Sequence, residues 1–285
     1  MLKSLINCPN CNCDVSLLIL KKDCFEAFKC KNCFSVFSNF EYINNKNNFD
    51  SEINTDKVSQ NSIKFYQLPR FLLNRYTFKI TANFDFNYIS KQMDLKKIEN
   101  SLDIGCQYGF LVKKLQDVGI VSHGIEAFQH PYSVCENRIT YEYFTENYNS
   151  NNKKYDLITM GDIVYLNPNS IKLINKAVQM LNKNGFLVIT GFNPSTKIIS
   201  EILKRSEDGY QNYTSKKGYE CICKSLNCSL IDFSTFNPKL FSINLTKNDK
   251  LCAGFEILKC ILRLDDGFKK QSSGIRSYTL IKKNS

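Results

Sequence analysis

Between Asn100 and about Thr190 the chain repeats one unit: a short apolar, often β-branched run, a break, then apolar residues every three or four positions. SLDIG (101–105), IVSHGIE (120–126), ITYEYF (139–144), YDLITM (155–160) and GFLVIT (185–190) read as strands. GFLVKKLQDV (109–118), HPYSVCENR (130–138) and SIKLINKAVQMLNK (170–183) read as helices. Alternation of this kind predicts an α/β fold with a parallel, doubly wound sheet. Ligands of such sheets bind beyond the carboxyl ends of the strands, where the first strand–loop–helix unit supplies the pocket. Here that unit is SLDIGCQYGFLVKKL.

Two fingerprints compete for this loop. A dinucleotide pattern started at Gly105 needs glycine at 107 and 110, and it meets Gln107 and Phe110. Started one step earlier, Asp103-x-Gly105-x-Gln107-x-Gly109 resembles the D-x-G-x-G-x-G motif of class I S-adenosylmethionine-dependent methyltransferases, departing only at Gln107. A loop of that family curves past an amino acid end and an adenosine, with no pyrophosphate to seat on a helix N-terminus. Gly105 and Gly109 permit close backbone approach. The resemblance implies a cofactor pocket built from Asp103, Gly105, Cys106, Gln107, Gly109, Glu126, Ala127 and Asp162. Asp103 would receive the methionine ammonium. Glu126, ending the second strand, would accept both ribose hydroxyls, because a carboxylate offers two acceptors to a vicinal diol.

The resemblance extends over roughly residues 65–285. YDLITMGDIVYLNPNSIKLINKAVQMLNKNGFLVIT has the layout of the family's fourth strand, helix and fifth strand, with Asp162, Pro168, Leu181, Lys183 and Gly185 at matching places. NYTSKKGYECICKSLNCSLIDF (212–233) is similar to the late helix and sixth strand, and SYTLIKK (277–283) to the seventh. The implied fold is a Rossmann-like seven-stranded methyltransferase sheet, mostly parallel with an antiparallel last strand. Residues 63–100 read as N-terminal helices, with Pro69 kinking the first or beginning a new one, and 101–285 as the α/β core.

The family's glutamate–histidine pair after the fourth strand is replaced by Tyr165-Leu166, and MGDIVYLNP lacks the N-P-P-Y motif of the amino-methylating RNA and DNA branches. Direct transfer to an acceptor O, N or C relies mainly on holding the nucleophile in line. No catalytic residue is assigned; Asp162, Tyr165, Tyr213 with Thr214, and His130 are the candidates. His123 sits mid-strand and is expected to pack there. Arg70 and Arg75, five apart, read as a solvated helical face, with a substrate phosphate as the alternative.

Six of the thirteen cysteines fall in the first 33 residues. Cys8/Cys11 and Cys30/Cys33 form two Cys-x-x-Cys knuckles about twenty residues apart, the spacing of a closed, structural Cys₄ zinc site. VSLLIL and CFEAFKC between them read as strands, so residues 1–44 are expected to form a small N-terminal zinc ribbon. Cys13 and Cys24 are spare and could each replace a ligand. The polar stretch 45–62 reads as a linker before a methyltransferase domain at 63–285.

The order of ribbon and then methyltransferase resembles bacterial sugar and surface-glycan biosynthesis methyltransferases, although the chain is too short for the further C-terminal domain those usually carry. The resemblance implies a small-molecule, nucleotide-sugar or glycan substrate. A formal charge of +11 keeps an RNA partner open, as in rRNA base methyltransferases with a zinc-binding head. Gln107 and Leu166 leave a third reading, a non-catalytic scaffold. No apolar run reaches membrane-spanning length, and the N-terminus lacks a signal-peptide h-region. A cytoplasmic location is expected.

Overall fold

A computed structural model describes residues 7–14, 16–21, 26–38, 68–130, 132–167, 170–195, 212–236 and 276–284. The expected linker, the spare Cys24, and Pro168 lie outside them.

In the cysteine-rich head, β1 (Ser16–Lys21) and β2 (Glu26–Cys30) form an antiparallel hairpin, and β3 (Val36–Ser38) pairs with the far edge of β2. Helix α1 (Leu68–Gln92) follows. Pro69 stands in the first turn that is described, where its missing N–H leaves no bond unmade within Leu68–Gln92. The next elements are β4 (Asn100–Ile104), α2 (Phe110–Asp117), β5 (Val121–Glu126), β6 (Ile139–Tyr141), β7 (Tyr155–Gly161), α3 (Ser170–Gln179) and β8 (Leu181–Phe192). Then come β9 (Asn212–Tyr213), α4 (Lys216–Ser225), β10 (Cys228–Phe236) and β11 (Arg276–Lys283).

Seven strands form one sheet in the order β10-β11-β8-β7-β4-β5-β6. It is parallel from β6 to β8, and β11 runs antiparallel to both β8 and β10. The period-2 alternation of strand side chains serves both faces. Ile158, Leu187, Ile189 and Ile281 pack with α3 and α4. Leu157, Val188 and Leu280 point the other way, into α1 and α2. Burying each such side chain stabilises the fold by about 1.5–3 kcal/mol. No helix among the described residues is long and apolar enough to cross a membrane.

Two expected helices are corrected. The described residues of HPYSVCENR are not helical: they carry turns and one 3₁₀ turn, Glu136–Arg138. Tyr132 is left-handed there, with φ of 62°, and Val134 N–H bonds across to the Tyr108 carbonyl at 2.8 Å, so the local helical ladder is diverted to the glycine loop. The helix at 170–183 stops at Gln179, and Leu181 already pairs with Tyr155 as strand. The N-terminal helices are continuous from Leu68 to Gln92, with a 3₁₀ turn at Leu95–Lys97 behind them.

The head does not stand apart. β9 adds to β3 as the fourth strand of its sheet, pairing Val36 with Tyr213 and Phe37 with Asn212. Buried Asn10 and Asn212 exchange side-chain hydrogen bonds at 2.7 and 2.9 Å, and Asn212 also donates to Ser170 Oγ at 2.8 Å. Ser215 N-caps α4 by accepting Gly218 N–H, while its hydroxyl donates to the Cys33 carbonyl. A Cβ at Gly218 would lie 2.4 Å from Ser35 Oγ, so only glycine lets α4 come this close.

Candidate functional site

The loop after β4 is built on three left-handed residues, Gly105 (φ 77°), Gln107 (φ 53°) and Gly109 (φ 77°). A Cβ at Gly105 would approach Ile163 Cγ2 to 2.7 Å. Gln107 therefore keeps the conformation of the glycine it replaces. Left-handed backbone costs an L-residue about 1–2 kcal/mol. Glu126 Oε2 accepts the Gln107 N–H at 2.8 Å, and its Oε1 accepts Phe128 N–H at 3.3 Å. A carboxylate has about four lone-pair sites, so Glu126 retains capacity for a ligand. Gln107→Gly is expected to raise stability by about 0.5–1 kcal/mol in urea unfolding, after allowing for glycine's own entropy. A lower midpoint would show that the glutamine side chain contributes contacts of its own.

Beyond the ends of β4, β7 and β8 lies a cavity of 350 Å³, closed on its far side by α1. Asp103, Gly105, Cys106, Gln107 and Asp162 line it, as do Asp85 and Thr81 of α1 and Thr190 of β8. Asp103 is buried and accepts the Thr159 hydroxyl at 2.6 Å. Burial pushes its carboxyl up to about 7, against the Thr159 hydrogen bond and with help from the Glu126 charge. Asp162 is left-handed (φ 59°) and ion-pairs through Oδ2 with Arg276 of β11 at 2.5 Å, while its Oδ1 has no partner among the described residues. Arg276 is buried and lies over the Phe192 ring at 4.8 Å.

The other sequence candidates fall around this cavity. Tyr165 stacks on Tyr213 at 5.6 Å and meets the edge of Phe192 at 5.2 Å, beside Asp162 but off the cavity wall. Burial, then the Asp162 charge, keeps its phenol protonated. Tyr213 is fully buried between the head and Tyr165, and Thr214 bonds to Asn10 at 3.3 Å. His130 sits on the Glu126 side of the loop, 4.9 Å from the Tyr108 ring and 3.9 Å from Glu126 Oε1, with its pKa lowered by burial. Ala127 directly follows Glu126 and is half-buried. His123 is half-buried on β5 with Arg138 3.4 Å away. Arg75 donates to the Tyr132 carbonyl at 3.2 and 3.3 Å and lies over Phe110 at 5.0 Å, tying α1 to the loop. The side chain of Arg70 lies outside the described residues. Sequence reasoning missed Asp85, Thr190 and Arg276. Arg276 immediately precedes the stretch read as the last strand, and nothing in the sequence pairs it with Asp162, 114 positions away.

At the head, the Sγ atoms of Cys8, Cys11, Cys30 and Cys33 lie within 4.8 Å of one another. Cys8 and Cys33 are 3.6 Å apart, and Cys11 and Cys30 are 3.5 Å apart. A tetrahedral zinc with bonds of about 2.3 Å requires sulfur–sulfur edges of about 3.8 Å, so the four thiols fit one ion after a small relaxation. Cys13 packs beside the cluster without joining it, as does Cys221 of α4.

Sheet order, the antiparallel penultimate strand and the left-handed loop define a class I S-adenosylmethionine-dependent methyltransferase. The family model described as "Methyltransferase domain" matches residues 75–231, and the chain belongs to that family. It is 28% identical over 172 residues to a ubiquinone biosynthesis O-methyltransferase of Glaesserella parasuis serovar 5 (strain SH0165), covering 52% of this chain and 70% of that protein. Among solved structures it is similar to a SAM-dependent methyltransferase from Archaeoglobus fulgidus, with TM-score 0.52 and 18% identity over 78% of this chain and 100% of that one. A putative sarcosine dimethylglycine methyltransferase from Galdieria sulphuraria gives TM-score 0.51 and 16% identity, over 72% and 85%. At these identities the structural likeness concerns the fold.

Proposed function

We propose that this methyltransferase acts on a small acceptor, a sugar, nucleotide-sugar or surface-glycan precursor, and that residues 1–44 form a structural zinc ribbon ahead of a transferase domain at 63–285. The observation that carries the small-molecule reading is the cavity. Its 350 Å³ suits a small ligand, and its described lining holds three aspartates and no Lys, Arg or His. A nucleic-acid strand instead needs a basic track for its phosphates. The alternative, an rRNA base acceptor, draws on the +11 charge outside the cavity; its mark would be RNA affinity falling steeply with salt.

In this reading Asp103 receives the amino acid end of S-adenosylmethionine, the backbone of 105–109 passes along it, and Glu126 accepts the ribose hydroxyls. The cofactor supplies an electrophilic methyl group. The chain's own part is positioning: the open Asp162 Oδ1 and Thr190 Oγ1 offer hydrogen bonds to an acceptor hydroxyl, and α1 shields the cavity from water. The test is calorimetry of S-adenosylmethionine with the zinc-loaded chain, followed by a screen of nucleotide-sugars and rRNA for transfer of labelled methyl. Glu126→Ala is expected to weaken cofactor binding roughly tenfold or more. Unchanged affinity would remove the ribose assignment, and label on rRNA but on no sugar would overturn the acceptor class.

A further inference from the structure

The cavity opposes the charge of its protein. In a chain of formal charge +11 its described lining carries three aspartates and no basic side chain. The guanidinium beside it, Arg276, is taken by Asp162. Asp103 belongs to the loop, but Asp85 comes from the facing wall. Thr77, Thr81 and Asp85, four apart, put one face of α1 on the cavity. Asp85 Oδ1 accepts the Tyr278 hydroxyl at 2.6 Å, and Oδ2 has no hydrogen bond among the described residues. Burial pushes this carboxyl up to about 7; Asp103 and Asp162 raise it, while the Tyr278 hydroxyl and Arg276 oppose. Asp103 stands at the same value. The Asp103 charge raises Asp85 and the Glu126 charge raises Asp103, and a cation beside carboxylates that face one low-dielectric space relieves them.

A separate sign of a ligand comes from the opposite strand. Thr190 is 5% exposed, lines the same cavity, and its Oγ1 has no partner among the described residues. Five other described hydroxyls are in the same state, but Thr190 is the one of the six that lines the cavity.

We infer that Asp85 is a second cation-binding residue of the cofactor pocket, sharing with Asp103 the ammonium group of S-adenosylmethionine. An ammonium carries three donors and can satisfy two carboxylates, whereas the sulfonium donates none. The inference rests on the cofactor reading above. It also means that the phosphates of a nucleotide-sugar acceptor stay outside this cavity and only its sugar end enters.

Calorimetry on the full chain tests it with three probes: S-adenosylmethionine, S-adenosylhomocysteine, which keeps the ammonium but not the sulfonium, and 5′-methylthioadenosine, which keeps neither. Asp85→Asn is expected to weaken the first two alike, by roughly 10- to 100-fold, and to leave the third within roughly threefold. Tyr278→Phe keeps the carboxylate and should hold S-adenosylhomocysteine within roughly threefold. Near pH 7 a bound cation drives both carboxyls to ionise, so a buffer series should show proton release on binding, reduced in Asp85→Asn. A wild-type chain that binds none of the probes sinks the cofactor reading and this inference with it. Wild-type binding matched by the variant overturns the inference alone. So does equal loss of all three probes, which marks a packing effect, and so does loss of S-adenosylmethionine only, which places the carboxylate at the sulfonium.

Discussion

Asp162→Ala is expected to lower the unfolding free energy by about 3 kcal/mol, roughly twice the cost of Arg276→Met. The asymmetry follows from where the two charges sit. The Arg276 side chain is 8% exposed and that of Asp162 is 38% exposed. Removing the aspartate strands a guanidinium inside the protein. Removing the arginine leaves a carboxylate that still reaches solvent. Loss of Asp162 should also turn Arg276 toward Asp85, already within its electrostatic reach, and lower that carboxyl from about 7. Urea unfolding of both single variants and the double variant checks this. The double variant should lose less than the sum of the two, because their partnership is counted once. Equal costs would mean that the pair is solvated more evenly than its burial indicates.

Cys30→Ser, or stripping zinc with a chelator, is expected to take metal content from about one zinc per chain to near zero and to lower Tm by roughly 5–10 °C. Cys30 is fully buried in the head, and Cys33, three residues on, receives the Ser215 hydroxyl on its carbonyl. In the zinc-ribbon reading, loss of the ion frees the turn that leads into β3, which keeps its pairing with β2 but holds β9 less firmly. Tyr213 then loses the wall that presses it against Tyr165. The chain has no tryptophan, so the near-ultraviolet circular dichroism comes largely from its tyrosines and should weaken as that stack loosens. The glycine loop lies on other elements, and S-adenosylhomocysteine affinity should stay within roughly threefold. Full metal loss with an unchanged tyrosine signal would show that the head and the stack are independent.

Strong periodicity made the sheet legible. YDLITM, GFLVIT and SYTLIKK read as strands, and they lie within β7, β8 and β11 of the seven-stranded sheet. Where tertiary contacts decide, the sequence carried less. β9 is two residues long and has no period to read; only the edge of β3 makes it a strand. The cofactor loop was legible because its backbone demands glycine at set places, but the left-handed state of Gln107 is visible only in the folded chain. Asp85 and Arg276 are lone charges in apolar stretches, and such residues announce a buried partner without naming it. Leu166, counted as a departure from the family pattern, is exposed and leaves the cavity wall to Asp162.

The pairing of β3 with β9 has a consequence for the order in which the protein can be completed during synthesis. Ser35 and the residue it meets, Ser215, are 180 positions apart. At about 5–20 residues per second, the ribosome needs roughly ten to forty seconds between them. Through that interval the cysteine knuckles have left the ribosome while the strand that finishes their sheet has not been made. In the zinc-ribbon reading proposed above, metal capture closes the hairpin early, but its open edge waits for residues 212–213. The head is therefore translated well before the strand that completes its sheet, and a nascent chain stalled before residue 212 would carry it with one edge bare.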